Sequence, residues 1–234
     1  KSAYRNVNFT VRKGEILGFT GLLGDGRSEL FQSIFGAHEV HSGSIILEGK
    51  TVRISSTEQA LNSGIGYLPR NRKENAIISD MNIIENASIV TWPRFSNSGT
   101  IDRKRQEELF QGQREQLGIR IQKITDSITT LSGGNQQKVV LAKWLAAHPK
   151  VLILDNPTQG VDVGAKEEIY EIILKLAEEG MAIVVLSSEA QEIIRICDRA
   201  LVMYQGEIQG EVQGETMTEH DIMKLATGGV LHAS

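Results

Sequence analysis

The 234-residue sequence contains a single cysteine, Cys197, and so has no means of closing an internal disulfide. It has only four prolines, no internal repeat and no low-complexity tract, which excludes collagenous and disordered chains. Its longest strictly apolar run, from Met181 to Leu186, falls far short of the ~20 residues that span a bilayer. No charged segment followed by an apolar one opens the chain. A basic surplus is missing as well: 25 Lys and Arg face 29 Asp and Glu, a net charge of −4. A mildly acidic chain is poorly suited to sequence-blind binding of DNA or RNA, which needs a basic face. The chain starts at Lys1 rather than at methionine, as an excised or processed piece would. These absences leave a globular unit of the cytoplasm, long enough to bury a core without disulfides or metals.

What is abundant is glycine, 23 residues, set between apolar stretches where the chain must turn. Residues 6–11 and 15–20 read as strands, and residues 43–53 as a hairpin turning at Glu48-Gly49. Residues 65–68, 151–154 and 181–186 are short buried strands. Helical spacing of apolar residues marks 28–35, 132–147, 162–178 and 189–196. A second hairpin turns at Gln205-Gly206, and Thr218 can cap a last helix over 218–226. Between about 70 and 130 the texture becomes polar, with helices over 82–90 and 102–117. The basic residues there, from Arg94 to Lys123, are interleaved with Glu107, Glu108 and Glu115, as on a solvated helix face. Apolar strands alternating with helices predict an α/β fold with a mostly parallel sheet covered on both faces. A small antiparallel β lobe and an inserted α-helical lobe complete the expected architecture.

Two segments and one strand end carry chemistry. Gly21-Leu-Leu-Gly24-Asp25-Gly26-Arg27-Ser28 follows a strand and opens a helix, with glycines spaced so that backbone N–H groups can turn inward around a phosphate. The helix start adds its positive end, Ser28 offers a hydroxyl to Mg²⁺, and Glu29 lies in the first turn. Arg27 stands where the phosphate-loop pattern has lysine; it keeps the charge, but its planar fork is no point charge. Strand 151–154 ends in Asp155, a carboxylate placed to hold Mg²⁺ through water. Leu131-Ser132-Gly133-Gly134-Asn135 opens another helix and makes a second anion-binding end. One phosphate does not readily serve two helix starts so far apart in one fold, so the second end is expected to face another subunit's nucleotide.

Phosphate loop, LSGG and apolar-strand aspartate, in this order, resemble the ATP-binding cassette (ABC) ATPases over nearly the whole chain. The run Gly160 to Lys166, GVDVGAK, and Ser187-Ser188-Glu189 after the late strand are similar to the C-terminal cassette of tandem sugar-import ATPases of the ribose, galactose and xylose type. The resemblance implies one nucleotide-binding domain over 1–234: a core with its β lobe over about 1–69 and 131–234, and a helical lobe over about 70–130. It implies ATP and Mg²⁺ as cofactors. The implied partners are an N-terminal cassette of the same chain or a dimer mate, transmembrane permease subunits and, indirectly, a sugar-binding protein, with no nucleic acid. The expected location is the cytoplasm, peripheral at the inner face of the membrane.

Against that family the site departs in several places. Asn156 takes the position of the glutamate that serves as catalytic base, and Ser188 that of the switch histidine. Arg70 falls at the Q-loop glutamine, and Asp162 at the D-loop aspartate that borders the partner site. An amide accepts no proton from water at neutral pH, and losing a general base costs ~10²–10⁴ in rate. The signature is nearly intact, Asn135 replacing only the usual glutamine. The expectation is a degenerate ATP site, weakly active or silent alone, in a domain that lends Ser132, Gly133 and Gly134 in trans. The alternatives are a docking module that binds no nucleotide and a hydrolytically active ABC ATPase.

Overall fold

The structure is a computed structural model, and it describes residues 3–97 and 100–231. In chain order the elements are β1 (Ile16–Gly21), α1 (Arg27–Ile34), β2 (Ile45–Leu47), β3 (Lys50–Val52), α2 (Thr57–Ser63), β4 (Ile65–Leu68), α3 (Arg72–Asn75), α4 (Ile83–Ser88), α5 (Trp92–Phe95), β5 (Ser96–Asn97) and β6 (Thr100–Ile101). There follow α6 (Arg103–Gln116), α7 (Gly133–Leu145), β7 (Val151–Asp155), α8 (Val163–Glu178), β8 (Ala182–Leu186), α9 (Ala190–Ile196), β9 (Arg199–Tyr204), β10 (Glu207–Gln213) and α10 (Glu219–Ala226). These divide into two compact units, residues 1–67, 150–156 and 173–234, and residues 68–149 and 157–172. No helix among the described residues is long and apolar enough to cross a membrane.

The first unit is built on a six-stranded sheet in the order β10-β9-β1-β8-β7-β4. β1 pairs in parallel with β8 and β9, and β8 with β7, while β10 returns antiparallel on β9. β1 and β8 are buried along their whole length, as strands covered on both faces must be. Phe19 meets Phe9 and Phe31 edge-on and Phe9 lies tilted against Phe31, with ring centroids 4.7–5.6 Å apart, joining α1 to the sheet. β2 and β3 form the expected hairpin, with Glu48 and Gly49 at φ 51° and 77°. Both values fit the tight two-residue turn that matches strand twist.

The strand expected over residues 6–11 is absent. Two of its carbonyls accept from side chains instead: Thr10 O from Arg199 Nη2 at 2.6 Å, and Asn6 O from Asn8 Nδ2 at 3.5 Å. Alternating apolar residues here signalled packing of the half-buried Phe9 ring on Phe19 and Phe31, not pairing. Cys197 caps the C-terminus of α9. Burial, with the charges of Glu192 and Asp198, holds its thiol above the ordinary range.

The second unit is helical. α4 packs on α6 and α7, and local signals set the ends of these helices. Asn82 caps α4 in a reciprocal box with Glu85, Asp102 caps α6, and Ser132 caps α7. Lys143, buried in α7, donates to Ala76 O at 2.5 Å, and burial pulls its pKa down to about 8.

Candidate functional site

In a parallel sheet the loops after adjacent strands emerge on one side, where ligands of α/β proteins bind. β1, β8 and β7 are such neighbours, and their carboxyl ends carry Gly21 to Ser28, Ser187-Ser188 and Asp155-Asn156. The first unit therefore brings together Gly21 to Ser28, Asp155, Asn156 and Ser188, the residues expected from the sequence to form the phosphate loop, metal, base and switch positions. Of these, Ser188 is exposed and Ser28 half-buried.

The phosphate loop is held from behind. The Gly206 N–H donates to Asp25 O at 3.0 Å, and Gly26, at φ 94°, presses against Ala3 O so closely that a Cβ would collide with it. Gly24, at φ 81°, faces open space. Arg27 does not reach outward: it is 4% exposed. Its Nη1 forms an ion pair with Asp25 Oδ2 and donates to Gly21 O at 3.1 Å. Asp25 Oδ1 in turn accepts the Arg27 N–H at 3.1 Å, at the first turn of α1. Burial raises the Asp25 carboxyl above its ordinary range, against the opposing pull of Arg27, and Glu29 adds to the rise. Glu29 itself is exposed.

Asp155 is 1% exposed, and both its oxygens accept hydrogen bonds. Tyr67 Oη donates to Oδ2 at 3.0 Å, and Asn156 Nδ2 donates to Oδ1 at 2.7 Å. Burial and the Asp155 carboxylate keep the Tyr67 phenol protonated far above its usual range. Asn156 adopts φ 50°, a left-handed conformation that asparagine tolerates, and its N–H donates to Leu186 O at 2.7 Å. The base position thus holds a donor aimed at the neighbouring carboxylate. The donor set fits ATP and Mg²⁺ in kind: a glycine loop with a helix start and a cation for phosphate, a hydroxyl and a carboxylate for the metal. Arg27 must turn out of the loop for a phosphate to use it. Tyr67 was missed in the sequence, although a phenol in a wholly buried strand must have a polar partner.

The second unit carries the remaining residues. Ser132, exposed, accepts from the Asn135 N–H at 3.4 Å and from Asn135 Nδ2 at 3.1 Å, while Asn135 Oδ1 accepts the Arg120 N–H at 2.8 Å. Packing leaves little room for a side chain at Gly133 or Gly134. A Cβ on Gly134 would lie 2.5 Å from Ala165 Cβ, and one on Gly133 would lie 2.6 Å from the Arg72 guanidinium. Asp162 Oδ1 accepts the Ala165 N–H at 3.0 Å and so caps α8. Arg70, exposed, donates to Gln159 Oε1 at 3.3 Å. Arg72 gave no signal in the sequence, one cation among several. It is buried and donates to Gln136 Oε1, Gln159 O and Gly160 O at 3.3, 2.8 and 3.1 Å. One guanidinium thereby ties the start of α3 to α7 and to the loop before α8.

A glycine phosphate loop on a mostly parallel sheet, with a helical unit whose capped helix opens on LSGG, defines a P-loop cassette. The ABC transporter family profile matches residues 4–159, and the chain belongs to that family. The fold is similar to a nucleotide-free ATP-binding cassette from an ABC transporter, with a TM-score of 0.78 at 23% identity over 92% of this chain and 87% of that one. It is similar also to the ADP conformation of another transporter's cassette, with a TM-score of 0.80 at 22% identity over 97% of this chain and 92% of that one. Among curated proteins it is 43% identical over 226 residues to the ribose import ATP-binding protein RbsA of Lactococcus lactis subsp. cremoris (strain SK11), covering 97% of this chain and 46% of that protein. The protein of the same name from Bacillus licheniformis (strain ATCC 14580) is 44% identical over 229 residues, 98% of this chain and 46% of its own length. The chain spans about half the length of the curated relatives it matches.

Proposed function

We propose that this chain is the C-terminal cassette of a tandem ATPase that drives sugar import, ribose being the substrate its relatives suggest. A match to about half of each relative supports the tandem reading. So do the GVDVGAK and SSE runs. The partners are then a first cassette, membrane permease subunits and, through them, a sugar-binding protein. The working place is the cytoplasmic face of the membrane.

In this reading the chain's own nucleotide site is degenerate. The observation that carries it is the Asn156 side chain, which donates to Asp155 at the position where a proton acceptor is required. Bound ATP supplies the transferable phosphoryl group, and Mg²⁺ supplies neutralising charge. Asp155 and Ser28 would hold the metal, and the N–H groups at the start of α1 the phosphates. No residue of the base or switch position accepts a proton from water: Asn156 is an amide and Ser188 a hydroxyl. The end of α7 has a different task. Ser132 offers its hydroxyl, and the Gly133 and Gly134 N–H groups add to the positive helix end. Together they stabilise charge on the phosphoryl group held by the partner cassette, the main protein contribution to such chemistry. Asp162 borders that partner site while capping α8.

Steady-state turnover tests this reading. The chain alone should hydrolyse Mg·ATP far below ~1 s⁻¹, and a rate at or above that value would show a working base. The Asp25–Arg27 pair inside the loop favours a second reading, a docking module that binds no nucleotide. Following the melting temperature against millimolar Mg·ATP separates the two: a rise supports a binding site, a flat curve the docking module.

A further inference from the structure

Asp25 deepens the reading of the phosphate loop as a nucleotide site, and the inference rests on that reading. A triphosphate entering this loop seeks two things: N–H groups at the start of α1 and a cation beside them. Both are already engaged by a carboxylate of the loop itself. Asp25 Oδ1 takes the Arg27 N–H, and Oδ2 takes the Arg27 guanidinium. The carboxylate has room because residue 21 is glycine; a Cβ there would collide with it.

The arrangement is tight yet incomplete. Arg27 and Asp25 are 4% and 6% exposed. The guanidinium uses Nη1 for its bonds, and its buried Nε has no hydrogen-bond partner. A buried charge pair with a donor left over is a poor final state for that donor. Phosphate oxygens, more numerous and more highly charged, would satisfy it better. The loop backbone cannot yield readily, since Asp25 O accepts the Gly206 N–H and Gly26 lies against Ala3. Release must therefore come from rotation of the Asp25 and Arg27 side chains toward the open side at Gly24.

We propose that Asp25 is a resident counter-anion of the phosphate loop, competing with nucleotide phosphates for Arg27 and the first N–H of α1, and so setting how weakly this cassette holds ATP. Removing the carboxylate strengthens phosphate binding; removing the arginine alone does not. The residue determines affinity and takes no part in bond cleavage.

The test is Mg·ATP, pyrophosphate and adenosine binding by calorimetry to the chain and its variants. Asp25→Asn keeps the shape and removes the charge. Asp25→Ala with Arg27→Lys restores an ordinary phosphate-loop composition, and it provides the measurement if Asp25→Asn leaves Arg27 too poorly compensated to fold. Both variants should bind Mg·ATP and pyrophosphate about tenfold or more tightly than the parent chain, the scale of one charge-assisted bond, with adenosine binding unchanged. If the parent chain binds Mg·ATP and neither variant binds it more tightly, the counter-anion role is wrong and the nucleotide site stands. If parent and variants all fail to bind at millimolar Mg·ATP, the role falls together with the nucleotide-site reading. If adenosine binding rises in step with pyrophosphate binding, the substitution has merely loosened the unit, and competition for phosphate is overturned.

Discussion

Two helix starts in this chain carry the glycine-rich pattern proposed to meet phosphate, and they are finished in opposite ways. α1 begins at Gly26, with no side-chain cap, and its first N–H is taken by Asp25 while Arg27 lies folded beneath it. α7 begins at Ser132, exposed and capping its own helix, and the glycines that follow are fixed by packing against Ala165 and Arg72. The first end is chemically rich and already engaged by its own loop; the second is chemically plain, with Ser132 presented to solvent. Motif strength in a sequence therefore says little about which end is available. What matters is whether the fold supplies an internal partner for the groups that a ligand would use.

The largest expected effect breaks this contrast directly. In the intact transporter, Ser132→Arg should lower ATP turnover by ~10²-fold or more, the scale of removing a donor aimed at developing charge. Arg27→Met should change it by less than about threefold. Membrane-vesicle ATPase assays check both, and equal losses would erase the division between the two ends.

Next in size is a stability effect in the second unit. Burial holds the Lys143 pKa at about 8, below its unfolded value. Between pH 8 and the unfolded lysine's pKa, near 10.4, the native state has released a proton that the unfolded state keeps, so stability rises with pH through that window. Relative to Lys143→Met, the parent chain should gain about 3 kcal/mol between pH 7.5 and pH 11. Urea unfolding of both proteins across that range measures the gap.

Arg72→Met should cost about 2 kcal/mol, the loss of charge-assisted bonds to two carbonyls and Gln136, part of it recovered by water at the exposed residues Gln159 and Gly160. Hydrogen exchange should show the loss as faster opening at the start of α7 and in residues 159–160. A global loss without local opening would deny Arg72 its tying role.

Smallest is the attempt to restore the base. Asn156→Glu replaces a donor to Asp155 with a second buried carboxylate. It should destabilise the first unit by about 1 kcal/mol and raise turnover of the chain less than tenfold, since like charges side by side raise a carboxyl pKa and Arg27 stays folded in. A return to ~1 s⁻¹ would make Asn156 the sole defect.

Much of this was legible in the chain. Glu48-Gly49 and Gln205-Gly206 announced tight turns, and both pairs adopt the positive φ that such turns require. Thr218 marked a helix start by side-chain chemistry that acts within three residues, and the helices read from 82 and 102 begin at the capping residues Asn82 and Asp102. The phosphate loop and the strand-end aspartate were read from spacing and context, and the signature from the family resemblance. The strand over 6–11 was misread because alternation reports burial, while pairing needs a neighbour with free backbone groups. Tyr67 and Arg72 were missed because their partners are 88 and between 64 and 88 positions away.

By itself the sequence determined most of the strands and helices, the glycine turns, the family and the residue types at positions 156 and 188, because these depend on residue identity and local spacing. Only the tertiary structure decided that Arg27 turns inward onto Asp25, that Asn156 and Tyr67 each donate to one oxygen of Asp155, and that Arg72 ties three segments together. Each of those outcomes turns on where a buried polar group finds its partner, and that choice is made by packing and desolvation across the fold rather than by any local pattern.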